Sequence, residues 1–188
     1  LMSATNFGLH FLSFTKRSFK YYLANDELKL FLTIIFVVVL VSALTLYVKE
    51  EFSIKDSIRY GFFQSISIVT TTGYTLEPLS GLGGTIGFLI FILAFIGACS
   101  GSVGGGMKVW RVLLMIKVGF SNITKIIHPS AISSVKLNGE KVVSSQIEAV
   151  FSFIAIYISF FLLFMFILIF QNVDFYTAFS GTAAAINN

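Results

Sequence analysis

The sequence predicts an all-α membrane protein built from long apolar helices with shorter polar-ended helices between them. Three observations lead there. Of the 188 residues, 56% are hydrophobic, 22 are Phe, and only 12% are charged, against about 25% in ordinary soluble domains. The mean hydropathy is +0.88, more apolar surface than a soluble domain of this size can hide from water. The apolar residues also fall in long uncharged runs rather than in half-polar faces. Composition excludes intrinsic disorder as well, since disordered chains are poor in apolar residues.

Three runs are expected to cross the bilayer. Leu30–Val48 has 19 residues without a charge, about 28 Å as a helix. Leu82–Ala98 is slightly shorter and contains Gly83, Gly84, Gly87 and Gly97. Ala149–Phe170 is dense in Phe, Ile and Leu and apolar all round, which suits lipid.

Between the first two runs, Ser57–Val69 is semi-polar and too short to cross, with Asp56 or Ser57 as its N-cap. It ends in Thr70-Thr71-Thr72-Gly73-Tyr74, where β-branched residues and Gly disfavour further helix. A short helix followed by extended chain is the plan of a re-entrant loop, tolerated at membrane depth where protein buries it or it lines water. The last run is followed by a second short helix, Asp174–Ile186, and then by Asn187-Asn188. Aligning Thr70-Thr71 with Asn187-Asn188 brings Phe62 onto Phe179, so long helix, short helix and polar turn occur twice. Internal repeats of this kind build transport proteins.

Lys and Arg set the orientation. Lys16, Arg17, Lys20 and Lys29 precede the first run, and Lys108, Arg111, Lys117, Lys125, Lys136 and Lys141 lie between the second and third. Ten of the 13 basic residues thus fall in two segments expected to be cytoplasmic. Residues 108–141 are then inside and the re-entrant loops enter from outside. Within the inner segment, Asn138-Gly139 flanked by apolar residues signals a type I′ hairpin, or else a solvated connector without a partner.

The chemistry is that of ion passage rather than catalysis. Stripping water from an alkali cation requires several oxygens around it, and backbone carbonyls provide them without net charge. Gly73 permits the dihedrals that turn successive carbonyls toward one axis. The same five residues also fit an ordinary Thr-rich turn, and a single loop does not surround an ion. Gly101-Ser102-Val103-Gly104-Gly105-Gly106-Met107-Lys108 superficially resembles a phosphate loop, but no Ser or Thr follows the Lys. It reads either as a flexible segment that blocks or clears a pathway, or as a site of close helix packing. The single Cys99 excludes an intrachain disulfide. His10 and His128, 118 positions apart, offer no metal-ligand spacing. No cofactor is expected, no basic run suits nucleic acid, and no paired carboxylates suit an enzyme. The opening Leu1-Met2-Ser3-Ala4 shows no signal peptide and reads as an internal segment of a longer chain.

Taken in order, Ser67-Ile-Val-Thr-Thr-Thr-Gly-Tyr74, Gly97-Ala-Cys-Ser-Gly-Ser-Val-Gly-Gly-Gly-Met-Lys-Val109 and His128-Pro-Ser-Ala131 resemble the Trk/Ktr family of potassium transporters. Thr5-Asn-Phe-Gly-Leu-His10 and Ala185-Ile-Asn-Asn188 fit the same family. The resemblance implies four repeats of outer helix, pore helix, filter loop and inner helix around a pseudo-fourfold pore. Residues 1–29 would end the second repeat, 30–127 form the third, 128–145 link, and 146–188 begin the fourth. It implies filter residues Thr70, Thr71, Thr72 and Gly73, joined by Asn187 and Asn188, with K⁺ held at Thr70, Thr71, Asn187 and Asn188. The interrupted inner helix would be the gate loop of Gly101, Ser102, Gly104, Gly105 and Gly106. It further implies potassium as the transported ligand, a plasma-membrane location, a homodimer of the full-length subunit and a cytoplasmic nucleotide-binding regulatory subunit. A sodium-translocating relative and a non-conducting membrane scaffold are the alternatives.

Overall fold

The computed structural model describes residues 1–49, 52–76, 83–128 and 134–187. After a 3₁₀ turn at Met2–Ala4 come α1 (Phe7–Thr15), α2 (Lys20–Ala24), α3 (Asp26–Lys49), α4 (Ile54–Val69), α5 (Gly83–Ile96) and α6 (Val109–Ile127). A hairpin of β1 (Lys136–Leu137) and β2 (Glu140–Lys141) follows, then α7 (Ser144–Phe170) and α8 (Phe175–Asn187).

Two of the three expected crossings are long enough: Asp26–Val48 and Ser144–Phe170, with mean hydropathies of 2.7 and 2.9. Phe160, Phe164, Phe166 and Phe170 line the exposed side of α7, an apolar exterior suited to lipid. The third run is corrected. Among the described residues it forms the 14-residue α5, about 21 Å long, which ends because the chain turns at Gly97 with φ +69°. Past that turn lies α6, a 19-residue helix that the apolar runs do not reveal. Arg111, Lys117 and Lys125 interrupt its hydropathy, yet Val109, Leu113, Leu114 and Val118 recur at helical spacing and are buried.

The short helix α4 begins earlier than expected. Ser53, not Asp56 or Ser57, is the N-cap: its Oγ accepts the Asp56 N–H at 3.2 Å and donates to Asp56 Oδ2 at 2.7 Å. At 16 residues the helix still falls short of crossing. It lies against α3 through small residues. A Cβ on Gly61 would sit 3.0 Å from the Ala43 backbone nitrogen and 3.3 Å from the Val39 carbonyl. One turn on, Ser65 is buried and donates to the Gly61 carbonyl at 2.7 Å. Small residues four apart let two backbones approach in an apolar medium. Gly61→Leu is therefore expected to destabilise the full-length protein by about 1–3 kcal/mol, read as a lowered midpoint of thermal unfolding in detergent.

The second short helix, α8, is started by Asp174, whose Oδ2 accepts the Thr177 N–H at 2.9 Å. That bond holds the exposed Asp174 carboxyl below the usual carboxylate range, so the cap is kept at neutral pH and lost as pH falls through the lowered value. α5, α7 and α8 meet through aromatic rings. Phe161 lies 5.3 Å from both Phe95 and Phe179, and Phe91 lies 4.9 Å from Phe179, between ring centroids.

The hairpin forms as expected, with Asn138 and Gly139 both at positive φ (51° and 86°) as a type I′ turn requires. It is not an unpartnered connector. Asn138 Oδ1 accepts the Asp26 N–H at 2.8 Å, and Asp26 Oδ2 accepts the Asn138 N–H at 3.2 Å. Lys117 pairs with Asp26 at 2.7 Å and donates to the Lys136 carbonyl at 2.8 Å. Leu137 and Val142 complete a core with Leu113, Leu114 and Val118 of α6 and Val150 and Ile154 of α7. The ribbon thereby ties the start of α3 to α6 and α7.

Candidate ion-binding site

Helix α4 delivers its C-terminal end into the Thr70–Tyr74 loop. Thr70 closes the helix by donating its N–H to the Ile66 carbonyl at 3.0 Å, and its Oγ1 donates to the same carbonyl at 2.7 Å. Thr71 then adopts φ +55° and Gly73 φ +78°, the left-handed region that a β-branched Thr enters only at a cost. The Thr72 and Gly73 N–H groups turn back onto the Ser67 carbonyl at 2.9 and 3.3 Å. Ser67 Oγ donates to the Tyr74 carbonyl at 2.6 Å, and the Thr70 and Thr72 hydroxyls lie 2.8 Å apart. The loop's donors are thus spent on α4. Among the described residues, the carbonyls of Thr70–Gly73 accept no backbone hydrogen bond. Four acceptors without backbone donors are the equipment for holding a cation.

These residues do not stand alone. A cavity of about 630 Å³ is lined by Thr71, Thr72 and Gly73 on one side and by Gly181, Ala184 and Asn187 of α8 on the other. The structure therefore brings the Thr71–Gly73 turn and the end of α8 to one cavity. Both short helices meet this cavity with their C-terminal ends, each carrying about half a negative charge from its aligned peptide dipoles. That polarity favours a cation and disfavours an anion. Among the described residues, no three His, Cys, Asp or Glu side chains gather as a conventional metal site. Thr70 borders a different, smaller cavity with Phe62, Phe63 and Tyr74, which Thr72 also lines.

Asn187 is buried, and its side chain is committed elsewhere. Oδ1 accepts the Tyr157 hydroxyl of α7 at 2.5 Å, while Nδ2 donates to the Ala183 carbonyl at 2.7 Å. The side chain thereby secures α8 against α7. Asn188 lies outside the described residues.

The Gly-rich segment lies directly against the loop. Gly105 N–H donates to Thr71 Oγ1 at 3.4 Å, and a Cβ on Gly104 would come within 3.7 Å of the Thr70 carbonyl. The segment leaves α5 and returns to α6 through a tight neck. Ala98 N–H donates to the Gly105 carbonyl at 3.4 Å, Met107 N–H to Phe95 at 3.0 Å, and Val109 N–H to Ala98 at 3.1 Å. A Cβ on Gly106 would lie 2.7 Å from the Gly97 Cα, so only bare backbone fits where the strands of the neck cross. Ser102 Oγ donates to the Cys99 carbonyl at 2.5 Å. Lys108 Nζ donates to the Gly104 carbonyl and, at 3.4 Å, to that of Ser102. The Gly101 carbonyl accepts the Phe7 N–H at 3.1 Å.

Three supporting residues escape sequence reasoning. Ser67 fixes the Thr70–Tyr74 turn, Tyr157 holds Asn187 at the end of α8, and Glu27 is buried against the neck. Ser67 had a signal, its place one helical turn before Thr70. Tyr157 and Glu27 had none, since their contacts join residues 30 and 73 or more positions apart.

Residues 1–188 match the family described as TrkH, cation transport protein. The chain is 33% identical over 188 residues to the Trk system potassium uptake protein TrkH of Halomonas elongata, covering 100% of this chain and 39% of that protein. It is 35% identical over 189 residues to the Trk system potassium uptake protein TrkH of Escherichia coli K12, with the same coverage. The crystal structure of the potassium transporter TrkH from Vibrio parahaemolyticus superposes with a TM-score of 0.89 at 34% identity, over 97% of this chain and 40% of that one. The chain thus spans less than half the length of the relatives it matches. With its membrane-type helices, its re-entrant turn and a match that runs from end to end, it belongs to the TrkH family of cation transport proteins, not to a family of enzymes.

Proposed function

We propose that the full-length protein carries potassium across the plasma membrane through a filter to which this chain contributes the carbonyls of Thr70, Thr71, Thr72 and Gly73, with Asn187 and Asn188 contributing from the next repeat. The observation that carries this reading is the cavity of about 630 Å³ shared by the Thr71–Gly73 turn and the end of α8. Its walls offer neutral oxygens and two helix C-termini, which compensate a cation for lost water without binding it too tightly to leave. In this reading residues 30–127 are one pore repeat, 146–188 begin the next, and 1–29 and 128–145 are the end of a preceding repeat and a linker. The family relatives named as Trk system potassium uptake proteins support potassium as the cargo.

Gly101, Ser102, Gly104, Gly105 and Gly106 form the gate of this pathway, a reading supported by the contacts of Gly105 with Thr71 and of Gly104 with Thr70. The full-length subunit works as a homodimer in the lipid bilayer, with a cytoplasmic nucleotide-binding regulator. The full-length protein, expressed in a strain without potassium uptake, is expected to restore growth at low potassium and to take up rubidium in preference to sodium. Equal uptake of both ions would favour the sodium-translocating reading, and no uptake the scaffold reading.

Orientation follows from the basic residues, with residues 108–141 cytoplasmic. In a Cys99→Ala background, an impermeant thiol reagent added to intact cells is expected to label Lys55→Cys and to spare Glu140→Cys, both at exposed positions. The opposite pattern would invert the topology.

A further inference from the structure

We propose that Glu27 is the positioning residue that holds the Gly-rich loop in its Thr71-contacting conformation, by accepting hydrogen bonds from the backbone on both sides of the loop. This rests on the reading of that loop as a movable barrier.

Glu27 lies in the first turn of α3, and its side chain is only 4% exposed. One carboxylate oxygen, Oε1, accepts the Ser100 N–H at 2.5 Å and the Trp110 N–H at 3.1 Å. Ser100 precedes the glycines and Trp110 follows them, so a single atom of α3 joins the two ends of the segment. Its neighbour Leu28 and the flanking Phe31, Cys99 and Val109 belong to one apolar core, and the Lys108 cation is close enough to act on the carboxylate. A carboxylate in such a place is costly unless donors satisfy it.

The two bonds differ in kind. Trp110 is in the first turn of α6, whose N-cap Lys108 provides no side-chain cap. Its N–H is one of the orphan donors of a helix start, where a negative charge is also favoured by the dipole. Glu27 thus serves as a cap supplied from another helix, and that bond persists as long as α6 stays packed on α3. Ser100 belongs to no helix. Its bond to Glu27 exists only while the loop is seated, and withdrawal from Thr71 takes the Ser100 N–H away from a buried charge. Glu27 therefore opposes opening in proportion to what that bond contributes.

Backbone bonds also hold the loop: Cys99 N–H to the Ala4 carbonyl at 2.9 Å, Phe7 N–H to Gly101 at 3.1 Å and Val103 N–H to Ser3 at 3.3 Å. Lys108 and Ser102 bond within the segment and Thr71 accepts from its far end, whereas Glu27 joins the residues on either side of the glycines to α3.

The test uses the full-length protein in a Cys99→Ala background, with rubidium flux in proteoliposomes normalised to folded protein. Loop motion is read by electron paramagnetic resonance from a spin label at Val103→Cys, a position 77% exposed. Glu27→Ala is expected to raise flux about tenfold, the factor that about 1.4 kcal/mol gives, and to mobilise the label. Glu27→Gln, whose amide oxygen still accepts both N–H groups, is expected to stay within about threefold of the parent, on the same energy scale. In a chain lacking Ser102–Gly105, Glu27→Ala is expected to add nothing. Where Glu27→Ala does not fold, Glu27→Asp, one methylene shorter, is expected to mobilise the label, and an unchanged spectrum overturns the proposal. Unchanged flux and label mobility in Glu27→Ala, with the deletion itself raising flux, would overturn the role of Glu27 and leave the gate standing. A deletion that does not raise flux would remove the gate and this role with it.

Discussion

Gly73→Asp in the full-length protein is expected to lower potassium-over-sodium selectivity of uptake by about tenfold or more, equivalent to about 1.4 kcal/mol or more of lost discrimination. The reason is not crowding by this chain, because a Cβ at Gly73 meets nothing within 4 Å among the described residues. It is conformational and electrostatic. Gly73 has φ +78°, which costs an L-residue about 1–2 kcal/mol. Relief of that strain reorients the Thr72 and Gly73 carbonyls in the turn that borders the cavity with Asn187. A carboxylate beside the cavity adds a fixed charge that binds a small cation as well as a large one. Growth at low potassium and competition between rubidium and sodium uptake measure the outcome. A well-expressed variant with the parent selectivity would refute the filter assignment.

Excision of Ser102–Gly105 is expected to raise the flux per folded molecule about tenfold, again the factor of about 1.4 kcal/mol, with potassium preference kept. The deletion removes the Gly105 N–H that touches Thr71 and the Gly104 backbone that lies under the Thr70 carbonyl. It also frees Lys108 from the Ser102 and Gly104 carbonyls. Selectivity survives because the Thr72 and Gly73 N–H groups remain fixed to Ser67 of α4, independent of the loop. A packing element would behave otherwise: folded yield would fall while flux per molecule stayed at or below the parent's. Flux in proteoliposomes, normalised to folded protein, separates the two.

How legible the fold was depended on the range of the interactions that set it. α3 and α7 were visible because lipid demands an uninterrupted apolar surface, and α8 because Asp174 signals its start. α4 was placed, but its start was missed by three residues. Ser53 wins the cap because its Oγ reaches the Asp56 N–H, whereas Asp56 itself serves in the first turn. The end of the third run was misjudged because a glycine turn outweighs hydropathy. α6 was hidden by the lysines and arginine that its polar face carries toward the hairpin and α7; Arg111 lies 4.1 Å from the centre of the Phe153 ring.

At the site, Thr70–Gly73 and the Gly-rich segment were legible as short-range motifs, and alignment of the two halves pointed to Asn187. The sequence did not show that the Asn187 side chain is committed to Tyr157, nor that Glu27 reaches Ser100 and Trp110 across 73 and 83 positions. Those are tertiary facts, and no local spacing encodes them.

The central claim is that a potassium-sized cation rests on the carbonyls of the Thr71–Gly73 turn, opposite the end of α8. Anomalous diffraction from crystals of the full-length protein grown with thallium in place of potassium tests it directly. An anomalous peak is expected on the axis of the cavity, within coordination distance of the Thr71 and Thr72 carbonyls, that weakens when potassium is added back and persists in excess sodium. Well-ordered density for the turn with no anomalous peak there, or a peak that sodium displaces as readily as potassium, would contradict it.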